Sequence, residues 1–394
     1  MKVAVIDPSL FTAPYDRALV DSLRALGDSV RFYTKSSFPG DLASADTADA
    51  DAIQHFYPLL TQPFVKRLPS TVCRVLKGIS HIGDMDSLVG SLRQWQPDVI
   101  HFQWVPLPII DRKFLPVLRR IAPLILTVHD SDPFNGDPTT WVQRLGSIPI
   151  LNQFDALVVH TEQARSRLTA QGVPSAKITK IMHGLLHEAG SGLESLPDVE
   201  AISGGVVDFL LFGKVKPYKG VDMLIRAVAL LSREERSKCR VRVVGMPCMG
   251  TSSLSTLAAS LGVADCIQFD FRFVADGEIA SVFAPASVLV FPYRSIDTSG
   301  VLMTAISAGR PIIATNIGTF AEILSDGRDA LLVPPGDQQA LAQALRRVIE
   351  DVALRHQLAA GIRCMRGAIP TWQEIGRSTQ ELYVQLTKCS LPKS

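Results

Sequence analysis

Cysteine is scarce and scattered: six residues in a chain of 394, with no C-x-x-C pair among them. That scatter excludes a disulfide framework and a ribbon-type zinc site, and it suits a reducing compartment such as the cytoplasm. Long hydrophobic runs are missing as well. The longest uncharged apolar stretch, residues 279–293, contains Pro285 and Pro292 and is too short to cross a bilayer. At the start, Val3-Ala4-Val5-Ile6 gives way at once to Asp7, too short for the apolar core of a secretory leader. An excess of charge of one sign is lacking too. Forty Lys and Arg against 38 Asp and Glu leave a net +2, which argues against a nucleic-acid partner, since such domains are strongly basic.

Several catalytic signatures are also absent. The glycine–lysine segment Gly213-Lys214-Val215-Lys216-Pro217-Tyr218-Lys219-Gly220 lacks the spacing of a P-loop. No G-x-G-x-x-G follows the first apolar run, where Asp7-Pro8-Ser9-Leu10-Phe11 stands, so a nicotinamide or flavin dinucleotide is not expected. Neither H-E-x-x-H nor G-x-S-x-G occurs, and no metal-ligand cluster is visible, so neither a metal nor a cofactor is expected.

What is present is a rhythm. Short, almost wholly apolar runs at 3–6, 30–34, 99–102, 124–128, 156–159 and 178–182 each end in a turn and lead into an amphipathic stretch. The second half repeats this at 209–212, 241–244, 267–269, 288–291, 312–314 and 331–333. Strands that are apolar throughout are covered on both faces, and alternation with helices predicts α/β domains built on parallel sheets. Residues 188–205, rich in Gly, Ser, Pro and acids, divide the halves. Two doubly wound domains follow, with a ligand expected in the cleft where their strand ends face each other.

The chemistry concentrates at strand ends. The run 209–212 stops at Gly213 and is followed by Lys214, Lys216 and Lys219 before a helix from Val221, an arrangement suited to an anion. After 288–291 comes a polar loop ending in Ser299-Gly300-Val301, the start of another helix. Its unpaired amides and dipole favour a phosphate, and Gly300 lets a ligand come close. A lysine-rich exposed turn and a plain serine cap explain these residues equally well when each is taken alone.

Taken together the second half resembles the nucleotide-sugar domain of GT-B glycosyltransferases of the retaining family four, the glycosyl transferases group 1. The resemblance rests on Gly213 through Lys219-Gly220-Val221-Asp222, on 286–293, on Ser307-Ala308-Gly309-Arg310-Pro311, on Gly318 through Glu322, and on 331–337. Pro97-Asp98-Val99-Ile100-His101, Thr127-Val128-His129-Asp130 and Ile181-Met182-His183-Gly184 extend it more weakly into the first half. It implies a GT-B fold of two Rossmann-like domains facing an interdomain cleft: residues 1–190 on the acceptor side, a linker at 191–205, and 206–371 binding the nucleotide-sugar. A terminal helix near 372–388 is implied to pack back onto the first domain.

The resemblance also implies roles. Lys214 and Lys219 take the positions of the family's basic pair and would hold the donor diphosphate, as point charges and not as a planar clamp. Gly213, Ser299, Gly300 and Val301 would line the donor, with Asp297 and Glu322 facing it, while His129 would touch the transferred sugar and Asp130 and Thr12 lie on the acceptor side. The family's two glutamates, separated by seven intervening residues, are missing: one register puts Ile296 and Thr304 there, the next Asp297 and Ala305. The expected activity is transfer of a sugar, with retention, from a nucleotide-sugar to a saccharide or lipid-linked acceptor in bacterial polysaccharide or glycoconjugate synthesis. A UDP-sugar is favoured over a GDP-sugar. A nucleotide-sugar 2-epimerase and a silent binding subunit of the same fold stay open. One stretch, 52–83, has no acid and interleaves Lys66, Arg67, Arg74 and Lys77 with apolar residues, which fits either a solvated loop or peripheral contact with an anionic membrane.

Overall fold

The computed structural model describes residues 1–36, 52–62, 69–131, 147–186, 192–193, 195–196 and 205–390. The chain separates into two compact units, Met1–Gly184 together with Thr371–Ser394, and Leu185–Pro370. Most of 188–205, assigned from composition to the linker, lies outside the described residues.

In the first unit seven strands are all parallel: β1 (Lys2–Asp7), β2 (Ser29–Lys35), β3 (Ile53–Phe56), β4 (Val99–Phe102), β5 (Leu124–Thr127), β6 (Ala156–Val159) and β7 (Ile178–Lys180). Their order is β3-β2-β1-β4-β5-β6-β7. Successive residues of β1 leave the sheet on opposite sides, and both sides are covered. Val3 and Val5 join Tyr15, Leu19, Leu23 and Tyr383, whereas Ala4 and Ile6 join Met85, Leu88 and Leu92. That double burial is why the strands read as unbroken apolar runs. β3 escapes the pattern, because it is an edge strand with Gln54 and His55 between its apolar ends.

The helix Trp372–Ser390 packs on the helix Ala13–Ala25 within this unit. Tyr383 Oη lies 2.6 Å from His101 Nδ1, and Gln380 Nε2 donates to Asp28 at 3.0 Å. Burial drives His101 down to about 3, so the imidazole is neutral, and its Nε2 lies 2.8 Å from Thr127 Oγ1.

The second unit holds β8 (Val207–Phe212), β9 (Cys239–Val244), β10 (Ile267–Asp270), β11 (Val288–Phe291), β12 (Ile312–Thr315) and β13 (Ala330–Val333), again parallel, in the order β10-β9-β8-β11-β12-β13. Leu224, Ile225 and Val228 of the helix Val221–Ala229 meet Leu341, Leu345 and Val348 of the helix Gln338–Glu350 over one face. In each sheet the winding reverses once, between β1 and β4 and between β8 and β11. In such sheets ligands sit beyond the carboxyl ends of the strands at the reversal. The residues that follow these four strands are therefore the ones to inspect.

Candidate functional site

At the β8/β11 reversal the second unit gathers three lysines, Lys214, Lys216 and Lys219, after β8. The loop after β8 ends in the single turn Pro217–Lys219, followed by Gly220 and the helix Val221–Ala229. Gly220 has φ +67°, and a Cβ there would lie 2.0 Å from the Pro292 carbonyl oxygen, so only glycine lets this loop approach the one after β11. Arg294 locks the approach. Its guanidinium donates to both oxygens of Asp222 at 2.9 and 2.6 Å and to the Pro217 carbonyl at 2.9 Å, while its backbone N–H donates to Tyr218. Partial burial works against the Asp222 charge, and the guanidinium more than offsets it, holding the carboxyl below its ordinary range.

This clamp seats Lys219. The side chain is 4% exposed, its Nζ donates to the Phe212 carbonyl at 3.3 Å, and it stands 5.0 Å from the centre of the Tyr293 ring. Among the described residues it makes no ion pair. Burial, reinforced by Lys214 and Lys216, pushes its ammonium down to about 7. A Cβ at Gly213, where φ is +103°, would sit 3.0 Å from both Lys219 Nζ and Val301 Cγ2. Gly213, Lys219 and the first turn of the helix Gly300–Ser307 thus meet at one point. Ser299 caps that helix, its Oγ accepting from the Leu302 N–H at 3.2 Å. Lys214 is exposed at the same strand end.

The remaining donor-side candidates are more dispersed. Asp297 is buried, and its carbonyl accepts from the Thr319 N–H at 3.0 Å, whereas Glu322 is exposed on the short helix Gly318–Ile323. At the positions of the missing glutamates, Thr304 Oγ1 donates to the Gly300 carbonyl within its own helix, and Ala305 is packed in the core.

The first unit arranges a second group of polar side chains around its own reversal. The loop after β1 turns on Asp7, whose carboxylate accepts the N–H groups of Ser9, Leu10 and Phe11 at 2.8–2.9 Å. These bonds hold Leu10 at φ +52°, a left-handed conformation that glycine more often supplies. Asp16 is buried against Asp7, and desolvation together with that neighbouring carboxylate raises its carboxyl well above the ordinary range. Sequence reasoning singled out neither aspartate.

Thr12 Oγ1 accepts from Trp104 Nε1 at 3.0 Å, donates to Asp16 and lies 3.5 Å from His129 Nε2. His129 is buried, stacked on Trp104 with centroids 5.4 Å apart and met edge-on by Tyr15. Its Nε2 is 3.2 Å from the Gln103 side chain and its Nδ1 is 3.3 Å from His160 Nε2. His160, just past the end of β6, is thus in contact with His129. A cavity of about 540 Å³, its open mouth included, runs past His129 and Asp130 between Trp104, Val105, Ile148 and Leu168.

Two parallel doubly wound units, one with a buried ammonium and a helix start at its switch point, define the GT-B glycosyltransferase class, and the protein is a transferase of that class. Residues 207–351 match the family described as Glycosyl transferases group 1, and residues 12–183 match the Glycosyl transferase 4-like domain. The chain belongs to this group-1, family-4-like line.

Among its relatives is a D-inositol 3-phosphate glycosyltransferase of Nocardioides sp., 25% identical over 97% of this chain and 89% of the relative. Another is the Streptomyces avermitilis protein of the same name, 26% identical over 85% and 75%. Among solved structures, sucrose-phosphate synthase from Thermosynechococcus elongatus superposes with a TM-score of 0.74 at 20% identity over 99% of this chain and 100% of that one. HepE of Anabaena in complex with UDP and glucose gives 0.74 at 18% identity over 98% and 100%. At such identities the superpositions speak for the fold. Among the described residues no helix is long and apolar enough to cross a membrane.

Proposed function

We propose that the protein moves a sugar, with retention, from a UDP-sugar in preference to a GDP-sugar onto a hydroxyl of a saccharide or lipid-linked acceptor. The observation that carries this reading is Lys219, a buried ammonium without an ion-pair partner among the described residues, set beside a helix start at the sheet's switch point. In the transfer the bond from the anomeric carbon to the diphosphate oxygen breaks, and the acceptor oxygen bonds that carbon. The acceptor proton leaves with the nucleoside diphosphate. Lys214, Lys219 and the first-turn amides at Ser299, Gly300 and Val301 meet the charge that grows on the diphosphate. Ammonium groups here take the part that a divalent cation plays in other transferases, so turnover continues in EDTA. Asp297 and Glu322 face the donor, His129 accepts a hydrogen bond from a sugar hydroxyl, and Thr12 and Asp130 serve the acceptor side. The complex of HepE with UDP and glucose supports the choice of base.

The reaction takes place at the cytoplasmic face of an anionic membrane, in polysaccharide or glycoconjugate synthesis. Val72, Val75, Ile79 and Ile82 are all exposed and recur at helical spacing along the start of the helix Ser70–Trp95, with exposed Leu59 nearby in sequence. The segment 52–83 carries no acid, and its cations Arg74 and Lys77 lie on that helix, while Lys66 and Arg67 fall outside the described residues. A helix presenting a row of exposed apolar side chains in an acid-free segment suits the boundary of anionic headgroups.

The test is thermal shift with UDP, GDP and TDP, followed by nucleotide release from the corresponding sugars. Stabilisation by UDP, and release that drops on Lys219→Ala, is the expected result. Failure of every nucleoside diphosphate to stabilise the protein would overturn the donor-site assignment.

A further inference from the structure

Four neighbouring strand ends of the first unit carry one continuous row of hydrogen bonds. Gln103 follows β4, His129 lies just beyond β5, His160 follows β6 and Ile181 follows β7, so the parallel register lines them up. Along the row Gln103 and His129 Nε2 are 3.2 Å apart, His129 Nδ1 and His160 Nε2 are 3.3 Å apart, and His160 Nδ1 faces the Ile181 carbonyl at 2.9 Å.

A carbonyl only accepts, so His160 carries its proton on Nδ1. Burial pushes His160 down to about 4 and lowers His129 as well, so both rings are neutral with one proton each. His160 Nε2 is then an acceptor, and His129 must donate to it from Nδ1. That leaves the lone pair on His129 Nε2, facing the Gln103 amide. The structure sets Gln103 Oε1 against this lone pair; turning the amide end for end brings its buried Nε2, without a partner among the described residues, to donate there instead. With the opposite assignment of protons, a lone pair of His160 would point at the Ile181 carbonyl.

We infer that His160 is a positioning residue: it fixes His129 as the neutral Nδ1–H tautomer and so presents Nε2 as an acceptor for a hydroxyl of the substrate. This rests on the reading of His129 as a sugar contact. The Gln103 contact, at 3.2 Å, is a long one that a well-aimed hydroxyl displaces, and Thr12 Oγ1, 3.5 Å away, has its proton on Asp16. Phosphate and carboxylate oxygens, which have no proton to give, are disfavoured at that position.

Two substitutions separate acceptor from packing. His160→Phe keeps a ring against Tyr15, 5.1 Å away, but removes the acceptor; His160→Gln returns an acceptor oxygen without the ring. The full chain labelled with 15N-histidine reports tautomers by long-range proton–nitrogen correlation. Wild-type His129 is expected as Nδ1–H, switching to Nε2–H in His160→Phe and remaining Nδ1–H in His160→Gln. With a turned-over UDP-sugar, kcat falls roughly tenfold in the Phe variant, the worth of one hydrogen bond, with donor KM held within about twofold, and recovers in the Gln variant.

An Nε2–H tautomer in the wild-type protein, or no switch in His160→Phe, overturns the inference, and the wild-type spectrum decides even if the Phe variant does not fold. Equal losses in the two variants overturn it as well. Should His129→Ala turn over at the wild-type rate, the sugar-contact reading fails instead, while the tautomer spectra still decide the role of His160.

Discussion

Replacing Lys219 by Met should make the empty protein more stable and the enzyme worse. The ammonium is pushed from 10.5 to about 7, a displacement worth about 5 kcal/mol in favour of its neutral form. In the window from pH 7 to 10.5 the unfolded chain holds a proton that the folded chain has released. Stability therefore rises with pH there, by up to about 1.4 kcal/mol per pH unit, and the penalty is present in full below pH 7. Methionine fills the site without charge. Allowing for the lost bond to the Phe212 carbonyl, the variant should gain about 2–4 kcal/mol at pH 7, and its stability should no longer climb between pH 7 and 10.

Nucleotide binding should move the other way. A charged hydrogen bond contributes about 1.5–3 kcal/mol, so UDP affinity falls roughly 10- to 150-fold in the variant. In the wild type a diphosphate must recharge Lys219, so affinity drops by up to about tenfold per pH unit above 7, with proton uptake visible in calorimetry across buffers of different ionisation enthalpy. Urea denaturation against pH and UDP titration measure both halves. A variant that is destabilised and still binds UDP like the wild type would refute the reasoning.

Other perturbations probe other parts of the two units. Asp16→Asn removes a buried ionisable group whose carboxyl the fold raises and should increase neutral-pH stability by about 1 kcal/mol or more, whereas Asp7→Asn disturbs an oxygen pair accepting three N–H groups and should cost about 2 kcal/mol or more. Because the fold raises the Asp16 carboxyl, wild-type stability should decline as pH rises above 3.8 towards the folded-state value, a decline absent from Asp16→Asn in acid-range denaturation curves. Arg294→Ala removes a half-exposed pair worth about 1 kcal/mol, but it frees the loop that seats Lys219, so donor KM should rise several-fold while urea midpoints barely move. The double variant Val75→Asp, Ile79→Asp should lower co-sedimentation with anionic vesicles by about tenfold or more, with kcat on a soluble acceptor unchanged; unaltered sedimentation counts against membrane docking.

The sheets were legible because both their faces are covered, which writes each strand as an apolar run between turns. β3 was not, since an edge strand needs only one or two buried residues, and Ile53-Gln54-His55-Phe56 has no run to show. Lys219 and Ser299 could be picked out because each stands a few residues past such a run. His160, Asp16 and Arg294 could not, because their partners follow other strands or lie on other elements. His129 and His160 are 31 residues apart, and Arg294 and Asp222 are 72 apart. Only the strand order puts them side by side. Asp7 had a local signal, an Asp followed by three donors in a glycine-free turn, although nothing in sequence told of Asp16 beneath it.

The helix Trp372–Ser390 carries a consequence for how the chain is made. Tyr383 reaches His101 across 282 positions of sequence, and Ile375, Leu382 and Tyr383 complete the core around Val3, Val5 and Leu19. On the ribosome these residues emerge after the whole of the second unit. The uninterrupted stretch Leu185–Pro370 can fold as it is synthesised, while the first unit waits with one flank of its sheet uncovered until the helix Trp372–Ser390 emerges. A message cut short before residue 371 would release a sound second unit joined to an unfinished first one, so chaperone demand and proteolytic loss should fall on the part that was made first.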